Sequence, residues 1–76
     1  MAVVIGFQKK LSAREPTLQP TTVICEWSVM TDRRLLQLDT FGSGDRQNPG
    51  KQSQTLQLTP ESAQELMRIL KEQFGF

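Results

Sequence analysis

Four cations, Arg33, Arg34, Arg46 and Lys51, bracket a polar run in this 76-residue chain, and one cysteine, Cys25, precedes them. These side chains limit the available chemistry. The chain has no histidine, so the usual general base near neutral pH is missing. Cys25 stands in phase with Val23 and Trp27, and a thiol desolvated among apolar groups is a poor nucleophile. One cysteine without histidine can form neither an internal disulfide nor a structural zinc site. Asp39 and Asp45 flank the start of a loop, but none of the carboxylates forms a clear catalytic pair. The loop "GSGDRQNPGK" ends Gly50, Lys51, Gln52 and lacks the Gly-Lys-Ser/Thr ending of a phosphate cradle. We expect no enzyme, no cofactor, no metal and no small-molecule substrate. What remains is the capacity of the basic residues to neutralise phosphates.

The elements that must position these residues follow from periodicity. In "TVICEWSVM", residues 22–30, Val23, Cys25, Trp27 and Val29 alternate with Ile24, Glu26, Ser28 and Met30, which predicts a strand with the odd set inward. "TDRR" reads as a tight turn. In "LLQLDTF", residues 35–41, Leu36 and Leu38 share one face, and Leu35, Gln37, Asp39 and Phe41 share the other. In "KQSQTLQL", residues 51–58, Leu56 and Leu58 oppose a wholly polar set, Lys51, Ser53, Thr55 and Gln57. The connection at residues 42–50 exceeds the ~2–5 residues of most hairpin loops, and long loops tend to be functional or mobile.

The helix signal comes last in the chain. Thr59 is the expected N-cap, Pro60 the first helical residue, and Glu61 faces the positive end of the helix dipole. Ala63, Leu66, Met67, Leu70 and Phe74 recur at helical spacing, and Gly75 stops the run. One apolar helix stripe and one apolar sheet face predict an α+β fold: an antiparallel sheet of three to four strands followed by one C-terminal α-helix packed on one face. That domain spans residues 22–76. Residues 1–21 form an extended arm containing Pro16 and Pro20, with "VVIGF" at residues 3–7 as a candidate short strand.

Size and composition restrict partners. A chain this short buries only about 60% of its unfolded surface. Without a disulfide or a metal, self-association is the remaining source of stability, so we expect at least a dimer. The apolar run at residues 2–7 is too short for a signal-peptide core, and its basic residues follow instead of preceding it. No run approaches the ~20 apolar residues of a membrane span. The expected location is cytoplasmic, with no membrane partner.

The polar sheet face, with Arg33 and Arg34 at one end and Arg46 and Lys51 at the other, suits a single-stranded nucleic acid. Cations track the phosphates, while aromatic rings stack on bases for ~1–3 kcal/mol each. Phe41 and, secondarily, Trp27 are the candidate rings. Ser53 and Thr55 supply hydrogen bonds to phosphate or base edges. The plainer reading is that a polar face on an antiparallel sheet is simply its wet side. A net charge of +1 is a weak electrostatic footprint for a nucleic-acid binder.

Two motifs sharpen the choice. "LLQLDTF" leads into a polar loop closing on Pro49-Gly50-Lys51, and a short strand then runs into Leu58-Thr59-Pro60-Glu61 at the helix start. Over residues 22–74 this order resembles the positive cofactor four family of transcriptional coactivators and its bacterial relatives. The resemblance implies a curved antiparallel sheet, a C-terminal helix, and a homodimer whose sheets bind single-stranded DNA or RNA in transcription or DNA metabolism. It implies that Lys51 contacts the nucleic-acid backbone, that Arg34 matches a basic residue at the start of the second strand, and that Phe41 lies where the family often carries aromatic residues. Arg46 falls in a loop where the family varies. The alternative expectation is a protein–protein interaction module of the same fold, an inhibitor or adaptor in phage or defence systems, without nucleic-acid binding.

Overall fold

A computed structural model describes residues 1–12, 14–41 and 52–76, and places β1 at Ala2–Val4, β2 at Glu26–Met30, β3 at Leu35–Phe41, β4 at Gln52–Leu58 and α1 at Pro60–Phe74. Arg46, Lys51 and the rest of the β3–β4 connection lie outside the described residues, as do the side chains of Gln52 and Ser53. The architecture is α+β, a four-stranded sheet followed by one helix.

The strand order is β1-β4-β3-β2. β3 pairs antiparallel with both β2 and β4. β1 pairs parallel with β4, so the sheet is mixed where a purely antiparallel one was expected. Alternation within a strand cannot fix its direction, and β1 is too short to carry a turn signal to a neighbour. β2 begins at Glu26, four residues later than the pattern suggested. The β2–β3 ladder stops at the Glu26–Asp39 pair, one residue short of Cys25 opposite Thr40. On the other side of β3 the register with β4 shifts between Thr40 and Phe41, a bulge at the far end of that pairing.

Cross-strand register sorts the faces. Trp27 and Val29 sit opposite Leu38 and Leu36, which in turn sit opposite Leu56 and Leu58, with Ala2 and Val4 completing the rows. This face is apolar from edge to edge. On the reverse face Ser28, Gln37 and Gln57 form a row that ends on Val3 of β1, and Glu26, Asp39 and Thr55 form the next. Met30 and Leu35 make an apolar pair on the side towards the β2–β3 turn.

Thr59 caps α1 as expected. Its side-chain oxygen accepts from the Ser62 N–H at 3.0 Å, and the Thr59 N–H donates to Ser62 Oγ at 2.9 Å. This reciprocal pair satisfies two of the three N–H groups that the helix start leaves without an intrahelical partner, Pro60 having no N–H to satisfy. Ser62 is fully buried, at 0% exposure, and periodicity gave no hint of it, since a serine can take the glutamate position of a capping box. At the other end Gly75 adopts φ 73°, and its N–H donates to the Lys71 carbonyl at 2.9 Å.

The core is thin. Leu58, 5% exposed, is the only buried hydrophobic residue among those described. Cys25 and Trp27, expected inward, are exposed, Trp27 at 69%. Met67 and Phe74, expected to face the sheet, are exposed as well. The cause is geometric. α1 follows β4 directly and meets the sheet mainly along that strand, so the β2 side of the apolar face has no helix over it. The chain exposes 7158 Å² for its 8.6 kDa. Surface scaling gives about 4,700 Å² for a compact monomer of that mass, an excess of about 2,500 Å². The radius of gyration, 14.7 Å, exceeds the ~11 Å expected of a compact chain this long in the same sense.

Candidate nucleic-acid interface

The polar face of β3 and β4 is a hydrogen-bonded ladder. Gln37 and Asp39, two residues apart, point the same way. The Gln37 side-chain amide donates to both Asp39 carboxylate oxygens at 3.1 Å. Thr55, opposite Asp39, donates from its hydroxyl to Asp39 Oδ1 at 2.8 Å, and Gln57 donates to Gln37 Oε1 at 2.9 Å. All four side chains are half-buried, so the ladder holds them as a stiff polar plate. Thr55, a candidate site residue, therefore faces its own sheet partner. Glu26, the first residue of edge strand β2, pairs across from Asp39, which places two carboxylates side by side at the β2 edge of the plate. A phosphate would meet like charge at that edge.

The described cations sit off the plate. Arg33 and Arg34 are exposed in the four-residue turn that joins β2 to β3, and Lys9, Lys10 and Arg14 are exposed on the arm. Arg34 has φ 53°, the left-handed position that hairpins commonly give to glycine. An L-residue pays roughly 1–2 kcal/mol there. Arg34→Gly should then raise stability by up to about 1 kcal/mol, after the entropy that glycine adds to the unfolded chain. Thermal melts beside oligonucleotide titrations test this. A more stable variant that binds less well assigns the guanidinium to ligand contact, and one that binds as before removes Arg34 from the interface.

The aromatic candidates are separated. Phe41 is half-buried and continues the phase of Gln37 and Asp39 on the polar side. Trp27 lies opposite Leu38 on the apolar side. One strand of nucleic acid crossing a single face cannot stack on both. The expectation that Trp27 assists Phe41 is thus corrected, because strand alternation sends them to opposite surfaces. Arg46, Lys51 and Ser53, the remaining candidates, lie outside what the structure describes.

Among the described residues, no group of three or more His, Cys, Asp and Glu is placed to hold a metal ion. No described helix is long and apolar enough to cross a membrane. No family model matches the chain, and no curated protein or solved structure matches it.

Proposed function

We propose that this protein is a homodimer that presents polar sheet faces to a single-stranded nucleic acid. The observation that carries the reading is the separation of the two faces of one sheet. Its apolar face is covered by α1 along β4 but left bare along β2, while its reverse carries a polar plate, with the Met30–Leu35 pair and then Arg33 and Arg34 at one end. Pairing two copies through the apolar side leaves both polar sides outward. Two copies together carry an excess of about 5,000 Å², which reaches the upper end of the roughly 2,000–5,000 Å² in total that obligate dimers bury. The order of motifs around Pro49-Gly50-Lys51 and Thr59-Pro60-Glu61 supports the same reading through its resemblance to the positive cofactor four family.

Phosphates would be held by Arg33 and Arg34, joined by Arg46 and Lys51, with Phe41 against a base. Fluorescence anisotropy with single- and double-stranded oligonucleotides at several salt concentrations tests the proposal. For single strands, log affinity falls against log salt by roughly 0.7 per neutralised phosphate. Two arginines from each of two copies therefore predict a slope of about −3 or steeper. Arg33→Glu with Arg34→Glu should flatten that slope and remove most of the affinity. A wild-type protein that binds no oligonucleotide at low salt rules the reading out.

The pairing of Glu26 with Asp39 favours a second reading, a protein-interaction module of the same fold. An acidic edge repels phosphate and suits a basic protein surface. Stoichiometric capture of a protein partner, with no retention on oligonucleotide, would select it.

A further inference from the structure

Residues 5–25 join β1 to β2, the two edge strands of the sheet, and the described ones form neither helix nor strand. The link is far longer than its path. Crossing three strand spacings takes about 14 Å, and returning along the parallel strands takes about 10 Å more. An extended chain of this length reaches roughly 70 Å. Pro16 and Pro20 keep Glu15 and Gln19 from helical conformations. Three of its apolar side chains have nothing to rest on. Leu11 is 95% exposed, Leu18 98% and Ile24 88%. On the same chain, Trp27 and Val29 form an apolar strip that α1 does not cover.

The two deficits match in kind. Leu11 and Leu18 on the link have no surface of their own, and the Trp27 and Val29 strip has no cover. We propose that two copies exchange arms, each laying Leu11 and Leu18 across the Trp27 and Val29 strip of the other. Reciprocal exchange of an identical element satisfies two-fold symmetry and forms a dimer at low cost, because every contact is made twice. It also accounts for where the surplus length goes. The proposal rests on the two-chain reading above and names the segment that seals it.

Sedimentation of the full chain with Leu11→Asp and Leu18→Asp together provides the test. Both side chains are bare in a single copy, so a chain that leaves its arm in water loses nothing by the change. Arm exchange predicts a dimer dissociation constant raised roughly tenfold or more, since burying even one leucine is worth that factor. Trypsin supplies a measurement on the unaltered protein, cutting after Lys9, Lys10 and Arg14. An exchanged arm is protected, increasingly so at higher protein concentration, and a free arm is cut at once at every concentration. A dimer whose dissociation constant ignores both substitutions, with its arm cut at once, overturns the exchange and leaves the dimer standing. A wild-type chain that sediments as a monomer overturns the exchange and the two-chain reading together.

Discussion

Leu58→Ala is expected to remove a large part of the protein's stability. Leu58 is the one hydrophobic side chain among the described residues that its own chain buries, and three elements meet on it. Leu36 flanks it on β3, Val4 flanks it on β1, and Thr59 begins the helix cap at the next residue. Truncating a buried leucine costs about 2–5 kcal/mol. A domain of this length holds roughly 4–11 kcal/mol in all, at 0.05–0.15 kcal/mol per residue. The substitution therefore removes a large part of the total, and at the low end all of it. Urea denaturation followed by circular dichroism measures the change. A loss below about 1 kcal/mol would mean that the stability lies elsewhere, and the account of the core would be wrong.

Dilution should shift the fluorescence of Trp27 to longer wavelength. Trp27 is the only tryptophan, so intrinsic emission reports on one point of the apolar face. In a single chain it is 69% exposed, and an indole in water emits at long wavelength whatever the concentration. Under a second copy it is desolvated, and separation of the copies returns it to water. Val29→Asp, two residues along the same face, should give the long-wavelength emission at every concentration, because a carboxylate cannot be buried in that contact without a large cost. Emission from the unaltered protein that does not change across the dissociation range, and already reports water, would place the dimer contact elsewhere or remove it.

The two experiments bear on different links of one argument. Leu58 tests what one chain holds together alone, and Trp27 tests what it leaves to a partner. Nucleic-acid binding comes after both, because the polar plate faces outward only if the apolar face is occupied. Glu26 and Asp39 put like charge at the β2 edge of the plate, so the salt titration decides whether the proposed phosphate contacts outweigh it.

Much of this was legible in the residues. Alternating leucines placed β3 and β4 and told Leu36 and Leu38 from Gln37 and Asp39. Thr59, Pro60 and Gly75 marked α1 at both ends, because caps are set by local hydrogen bonds and backbone angles. Arg33 and Arg34 fell in a turn, where they were expected. The site was less legible. A left-handed Arg34 leaves no trace in composition, and the ladder from Gln57 through Gln37 to Asp39 exists only once β3 and β4 are in register.

The sequence by itself determined which residues alternate, where the helix begins and ends, and that a chain with one cysteine and no histidine must find stability in packing. Period and cap chemistry act over a few residues, so one strand of text is enough to read them. Only the tertiary structure decided that β1 runs parallel to β4, that Trp27 and Phe41 look in opposite directions, and that Cys25 stands in the open. Those outcomes depend on which strand lies beside which and on how far one helix can reach. A single α1 covers the β4 side of a four-stranded sheet and no more, and the uncovered remainder is where a second copy is expected.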